Sequence, residues 1–194
     1  MLIPEETFQL IRQRRSVFPA QYTGERIEDS LVWQILESAN WAPTHGKTEP
    51  WRFVVFTKDA LPKLADAQAE AYQKSTALDS FDEAKYNKLL TNPRKASHVI
   101  AIVMKRQATA KIPEIEEIAA VACAVQNMHL MAVSLGVGAF WSTGGLTYLA
   151  EGKQFLGLGE DDKLMGFFYL GVIAKPSADS ARKPITEKVI WKDK

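Results

Sequence analysis

Residues 113–136 read PEIEEIAAVACAVQNMHLMAVSLG and form the longest apolar stretch in the chain. Glutamates are concentrated at its beginning, where they favour the positive end of a helix dipole, and Gly136 is a residue that commonly ends a helix. From Ile118 to Leu135 the stretch is apolar on almost every side, which is typical of a helix at the centre of a domain. The sequence therefore predicts a long buried core helix from Pro113 to about Leu135.

A membrane-spanning helix is the alternative for this stretch, because it is almost long enough to cross a bilayer. Gln126, Asn127 and His129 lie in its middle, where lipid makes polar side chains costly. We therefore favour a core helix and expect no membrane association. The first residues also lack the basic start and long apolar core of a secretion signal, which favours a cytoplasmic protein.

Strand and helix signals surround this helix. Trp51–Thr57 is rich in aromatic and β-branched residues, and Val99–Met104 is apolar throughout, as in a central strand buried on both faces. Further strands are predicted at 139–142 and 166–174, and further helices at 4–14, 27–41 and 148–155, with one or two between 59 and 90.

The pattern predicts an α+β fold, a mixed α/β sandwich in which helices flank a central sheet. The chain is expected to form one domain over residues 1–194, with a C-terminal arm from about 175 to 194. In the first helix we expect Phe8, Leu10 and Ile11 to face inward.

The composition argues against several functions. The 24 Lys and Arg residues almost balance the 23 Asp and Glu residues, so the net charge is +1 and no basic excess indicates a nucleic-acid partner. The single cysteine, Cys123, excludes an intrachain disulfide. Its alanine and valine neighbours favour a small buried residue over a catalytic nucleophile.

No residue pattern indicates catalysis by side chains alone. His45, His98 and His129 lie far apart and lack metal-ligand spacing, so no metal site is predicted. The sequence from Gly136 resembles a dinucleotide fingerprint, but Trp141 stands at the third glycine position and the segment follows a helix. Without a Gly-x-Ser-x-Gly motif, a cofactor is expected to carry any chemistry, and no catalytic side chain is assigned.

The triplet Arg14-Arg15-Ser16 supplies two guanidinium groups and a hydroxyl near the end of the first predicted helix. Such groups bind phosphate through charge-assisted hydrogen bonds. By itself the triplet is ambiguous, because basic residues also favour the C-terminal end of a helix dipole.

Three further blocks follow the triplet: APTHGKTEPWRF at 42–53, GVGAFWSTGG at 136–145 and GFFYLG at 166–171. The order and spacing of the four blocks resemble the nitroreductase family of FMN-dependent oxidoreductases, from Phe8 to about Trp191. The resemblance implies a nitroreductase-like sandwich and a homodimer with FMN at the subunit interface.

The resemblance also implies which residues hold FMN. The Arg-Arg-Ser block of the family binds the phosphate and ribityl chain, which implies Arg14, Arg15 and Ser16. A basic residue of the C-terminal tail returns to the phosphate, and Arg182 is the best match.

Two loops are implied to contact the flavin ring. The loop before Pro50 reaches the ring from the partner subunit, through Pro43, Thr44, His45 and Lys47. The segment after the long helix lies along the ring, through Trp141, Ser142, Thr143, Gly144 and Gly145.

Three residues depart from the family pattern. Phe18 stands where many members have a basic residue, Lys47 replaces an asparagine, and Glu49 replaces a glutamine. These changes bear on the substrate pocket more than on flavin binding.

The implied activity is a hydride shuttle. NADH or NADPH reduces FMN, and a small-molecule electron acceptor then takes the place of the nicotinamide; nitroaromatics and quinones are the acceptors that the resemblance suggests. The alternatives are a non-catalytic flavin-binding or sensor protein, a structural protein without the cofactor, and a specialised flavin-dependent dehydrogenase, dehalogenase or ring-cleaving enzyme.

Overall fold

A computed structural model describes residues 3–193. Within this range four strands form an antiparallel sheet, namely β1 Trp51–Thr57, β2 His98–Met104, β3 Val137–Ser142 and β4 Lys163–Val172. Their spatial order is β1-β2-β4-β3, so β2 and β4 are central while β1 and β3 are the edges. Every residue of β2 is buried, which confirms the prediction for Val99–Met104.

Helices cover both faces of the sheet. They are α1 Pro4–Gln13, α2 Asp29–Ala39, α3 Ala60–Ser75, α4 Glu83–Lys95, α5 Glu114–Ser134 and α6 Ala150–Leu156. On one face, Ile35 of α2 and Val121 of α5 share an apolar core with Phe168 of β4. On the other face, Leu64 of α3 packs with Phe167 and the β2 side chains. The predicted α+β sandwich is confirmed.

The last two strands begin earlier than predicted, at Val137 and Lys163, because glycine inside them does not end them. Gly138 and Gly171 lie opposite each other in the sheet. The ring of Tyr22 packs over both, and a Cβ atom added to Gly171 would lie 2.4 Å from that ring. These glycines therefore permit a close approach of side chain to backbone.

Helix α5 is the predicted core helix, but in this chain it buries one face. The buried residues recur every three or four positions: Glu117, Ala120, Val121, Ala124, Val125, Met128, His129 and Ala132. Ile115 is 68% exposed, and Cys123 is also exposed, so the prediction of a buried Cys123 is wrong. Its apolar neighbours indicated burial without indicating a side, and Cys123 falls on the face turned away from the sheet.

The length and composition of α5 would suit a membrane span, as they would the core helix of a folded domain. In the structure its inner face packs against the sheet. That packing agrees with the prediction of a core helix.

Apolar side chains remain exposed near both ends of the chain. On α1, Leu10 is half-buried, whereas Phe8 is 54% and Ile11 49% exposed, so the expectation that all three face inward is wrong. Within residues 3–193 no second layer of side chains covers Phe8 and Ile11. In the tail, Ile190 and Trp191 are more than four-fifths exposed.

Candidate functional site

Residues 14–17, which we call the arginine segment, leave the end of α1 and run beside the edge strand β3. The Val17 amide donates a hydrogen bond of 2.9 Å to the Ala139 carbonyl. The Tyr22 hydroxyl donates to the Val17 carbonyl at 2.8 Å, and the Ser177 hydroxyl donates to the Ser16 carbonyl at 2.7 Å. The segment is therefore anchored by β3, the following loop and the C-terminal tail.

The structure brings Arg182 of the tail close to Arg14. Burial lowers the pKa of the Arg14 guanidinium, and the positive charges of Arg182 and Arg15 lower it further. Mutual repulsion of this kind disfavours the arrangement unless an anion binds among the cations. The two arginines that were predicted to share a phosphate are thus near enough for their charges to interact.

The Arg15 side chain has partners in α1 and in the C-terminal tail. Its guanidinium donates to the backbone carbonyls of Arg12 and Arg14, at the C-terminal end of α1, and lies 3.7 Å from Asp179. It lines a cavity of about 410 Å³ together with Arg12 and Asp179, and Arg14 does not line that cavity. Among residues 3–193 the buried Nε of Arg15 has no hydrogen-bond partner.

His129 of α5 lies behind the arginine segment, a position that sequence reasoning missed. Its Nε2 lies 3.1 Å from the Ala139 carbonyl oxygen, and its ring meets the ring of Phe168 edge-on at 5.2 Å. Burial lowers the pKa of His129 to about 4, and the charge of Arg14 contributes. The imidazole is therefore neutral at pH 7, with Nε2 donating to Ala139. No sequence spacing links α5 to the arginine segment, so only the fold shows this contact.

Trp141 is half-buried near the end of β3. Its indole Nε1 donates a hydrogen bond of 3.0 Å to the Met165 carbonyl of β4. Gly166 makes this approach possible, since a Cβ atom there would lie 2.4 Å from the Ser142 carbonyl oxygen. The indole is thereby held against the sheet.

The turn after β3 contains the other predicted ring contacts. The Gly144 amide donates to the Ser142 hydroxyl at 3.4 Å, and Thr143 is exposed. Gly145 has φ +62°, and a Cβ atom at that position would lie 2.5 Å from the Gln68 side chain of α3. Gln68 is buried, so this turn packs closely on α3.

The loop from Pro43 to Glu49 is the least regular part of the predicted site. Lys47 and Glu49 adopt left-handed backbone conformations, with φ of 53° and 43°, which are costly for residues other than glycine. The Thr44 hydroxyl accepts a hydrogen bond of 3.2 Å from the Glu49 amide and lies 3.1 Å from the Thr48 hydroxyl. Backbone strain of this kind is concentrated at functional sites in folded proteins.

This loop lies far from the arginine segment within one chain. His45 Nδ1 is 2.5 Å from Glu116 Oε2, which places the loop at the N-terminal end of α5. His129, whose ring and the Val17 amide share the Ala139 carbonyl, lies near the other end of the same helix. At 1.5 Å per residue, about 20 Å of helix separates Glu116 from His129. The chain therefore divides the predicted site residues between the two ends of α5.

Phe18, one of the departures from the family pattern, follows the arginine segment. Its ring is 51% exposed and lies 4.6 Å from the ring of Phe140 on β3. An aromatic surface thus occupies the place where many family members carry a charge.

Comparisons with known proteins agree with this architecture. The sequence profile of the nitroreductase family matches residues 11–172. The protein named "Putative NAD(P)H nitroreductase YdjA" of Escherichia coli K12 is 31% identical over 183 residues, which cover 92% of this chain and 94% of that protein. YfhC of Bacillus subtilis, which carries the same kind of name, is 25% identical over 179 residues, covering 92% and 90% respectively.

Solved structures share the fold over the whole chain. A nitroreductase-like family protein from Bacillus cereus superposes with a TM-score of 0.84 at 28% identity and covers 100% of both chains. A Desulfovibrio desulfuricans relative, solved in complex with FMN, superposes with a TM-score of 0.77 at 27% identity, covering 99% of this chain and 98% of that one. The match of the family profile to residues 11–172 and the 31% identity to the Escherichia coli relative show that this chain belongs to the nitroreductase family.

Proposed function

We propose that this protein is an FMN-dependent oxidoreductase that passes hydride from NADH or NADPH, through FMN, to a small acceptor such as a nitroaromatic or a quinone. The observation that carries the proposal is the position of the arginine segment, which is hydrogen-bonded to β3 through Val17 and to the C-terminal tail through Ser16. It is supported by relatives that carry NAD(P)H nitroreductase names and by a relative that was solved with FMN.

The arginine segment has the chemistry that the phosphate of FMN requires. A phosphate dianion between Arg14 and Arg182 would relieve the repulsion that lowers the pKa of Arg14. Charge-assisted hydrogen bonds from two guanidinium groups favour a terminal monophosphate, and the Ser16 hydroxyl would add a further contact. These residues fit FMN better than FAD, whose phosphates are internal.

The side chains that follow along β3 would orient the ring. The Trp141 indole is hydrogen-bonded to the Met165 carbonyl and would provide an aromatic surface for the flavin ring. The backbone of the turn 142–145 follows directly after this indole. When bound, FMN supplies the atom that accepts and then donates hydride. The residues of this chain would bind the phosphate and position the ring.

We further propose a homodimer in which each flavin lies between two subunits. Arg14 and the His45 loop lie at opposite ends of α5, so one chain does not bring them together. Phe8 and Ile11 of α1 and Ile115 of α5 are apolar and exposed, as a self-complementary interface would require. The arginine segment of one subunit would then meet the His45 loop of its partner.

An anaerobic absorbance titration tests the proposed function. The purified protein, reconstituted with FMN, is expected to bleach on addition of NADH or NADPH and to regain its colour when a quinone is added. A yellow protein that neither nicotinamide bleaches would instead be a flavin-binding or sensor protein. A colourless protein that does not retain added FMN would contradict the proposal entirely.

A further inference from the structure

His45 and Glu116 form a pair whose geometry the proposed hydride shuttle leaves unexplained. His45 Nδ1 and Glu116 Oε2 are 2.5 Å apart, although the two residues come from the Pro43–Glu49 loop and from α5. A carboxylate at this distance accepts a hydrogen bond from Nδ1–H, which fixes that tautomer of the ring. Within residues 3–193, no protein group is hydrogen-bonded to His45 Nε2. The pair thus presents a ring nitrogen that is free to exchange a proton.

Stability alone does not account for the pair. The two side chains are 62% and 43% exposed, and exposed ion pairs contribute little to folding. The loop that carries His45 nevertheless adopts a strained backbone conformation. Gly46 has φ +60° and packs near Ile112, and Lys47 and Glu49 are also left-handed. A strained, pre-organised loop that directs a histidine toward solvent is more typical of a reactive site than of a structural contact.

The neighbouring glutamates Glu114 and Glu117 pair with other basic residues, whereas Glu116 pairs with His45. In the same turn of α5, Glu117 is buried against Arg106, and Glu114 lies 3.2 Å from Lys163. On the loop, Lys47 and Glu49 are exposed. Of the three glutamates that begin α5, the structure pairs only Glu116 with a group that can transfer a proton near neutral pH.

A proton is what the acceptor needs in addition to hydride. A quinone that receives one hydride, carrying two electrons, requires one proton on oxygen to become a hydroquinone. A nitroaromatic that receives one hydride requires one proton as it becomes a nitroso compound and releases water. Both steps balance with one hydride and one proton, and the proton is drawn finally from solvent.

We propose that His45, held by Glu116, donates this proton from Nε2 to the oxygen of the acceptor. The inference rests on the proposed function, in which the His45 loop lies over the flavin of the partner subunit. His45 would be the catalytic acid and Glu116 a positioning residue, and solvent would reprotonate Nε2 after each turnover.

Stopped-flow measurements separate the two half-reactions. In Glu116→Gln and His45→Gln, oxidation of the reduced protein by a quinone at pH 7 should slow by about tenfold or more relative to its reduction by NAD(P)H. The rise of the oxidation rate toward low pH should also be lost in His45→Gln. FMN content is measured in each variant, and rates are expressed per bound FMN, so that a binding defect is not mistaken for slow proton transfer.

Glu114→Gln is the matched control, because it removes an equally exposed carboxylate from the same turn without contacting His45. It should keep the wild-type rates and pH profile. If Glu116→Gln and His45→Gln both behave like Glu114→Gln, the inference is wrong while the flavin function stands. If wild-type protein is not bleached by NAD(P)H, the proposed function fails first, and the two failures are therefore distinguishable.

A readout without flavin tests the pair directly. Long-range ¹H–¹⁵N spectra of the apoprotein report which ring nitrogen of a neutral histidine carries the proton. We expect the Nδ1–H form for His45 in the wild type and in Glu114→Gln, and its loss in Glu116→Gln. A wild-type His45 that carries its proton on Nε2 would overturn the proposed pair.

Discussion

Arg14 illustrates how a single residue joins local sequence to the folded site. Its position after α1 is readable from the sequence, but its proximity to Arg182 is a property of the fold. We expect Arg14→Ala to weaken FMN binding by about 1.5–3 kcal/mol, through loss of a charge-assisted hydrogen bond. Fluorescence titration of apoprotein with FMN measures this change. Arg12→Ala, which removes a cation from the neighbouring cavity, serves as control; equal affinities in wild type and Arg14→Ala would remove Arg14 from the site.

His129 should make the stability of the apoprotein depend on pH. Burial lowers its pKa from 6.5 to about 4, so between these values the unfolded chain binds a proton that the folded protein does not bind. The contribution is therefore fully present above pH 6.5 and is lost as the pH falls toward 4. The stability lost by pH 4.5 amounts to roughly 2.5 kcal/mol. His98, whose pKa burial also lowers, acts in the same direction.

Urea unfolding at pH 7.5 and pH 4.5 measures this difference. The free energy of unfolding should fall less between the two pH values in His129→Gln than in the wild type. His45→Gln is the control for removal of an exposed histidine. An equal fall in His129→Gln and wild type would show that His129 titrates normally in the folded protein.

Strands β3 and β4 pair through two facing glycines, Gly138 and Gly171, and the Tyr22 ring packs against both. A Cβ atom on Gly171 would lie 2.4 Å from the Tyr22 ring. Gly171→Ala should therefore destabilise the protein by about 1–3 kcal/mol, since the ring or the strands must move. Gly144→Ala, where the nearest atom would be 3.8 Å away, should cost far less. Thermal unfolding of both apoproteins tests the comparison, and equal losses would contradict the packing argument.

Helix α5 carries a cysteine on its exposed face, and we expect that thiol to be catalytically silent. Cys123 lies on α5, as do His129 and Glu116, but its side chain is exposed and contacts neither the arginine segment nor the His45 loop. Cys123→Ser should keep most NAD(P)H-dependent quinone reduction per bound FMN. Loss of that activity in a folded, FMN-loaded variant would show that the cysteine takes part in the reaction.

The proposed dimer requires that each flavin site be formed by residues from two subunits. If Arg14 and the His45 loop serve one flavin from two subunits, Arg14→Ala and a His45→Ala, Lys47→Ala double variant each lose activity for different reasons. Mixing the two and allowing subunits to exchange should restore one intact site per heterodimer, and hence partial activity. A monomer by light scattering that remains flavin-loaded and active would rule out this arrangement.

Local sequence patterns were sufficient to predict the main helices and strands. Continuous apolar character predicted β2, the glutamate-rich start and Gly136 marked the ends of α5, and the spacing of the four blocks led to the family. The signals for β2 and α5 each lie within a short stretch of the chain, whereas the four blocks extend from residue 14 to residue 171. A short stretch is the range over which helix and strand periodicities act.

Tertiary structure decided which side chains meet. It placed His129 behind the arginine segment, directed Arg15 toward Asp179 and left Cys123 on an outer face. These outcomes depend on how α1, α5 and β3 pack against one another. The sequence by itself determined the elements and the candidate residues, because their signals are local. Only the fold decided which candidates share a site, because that depends on contacts between residues far apart in the chain.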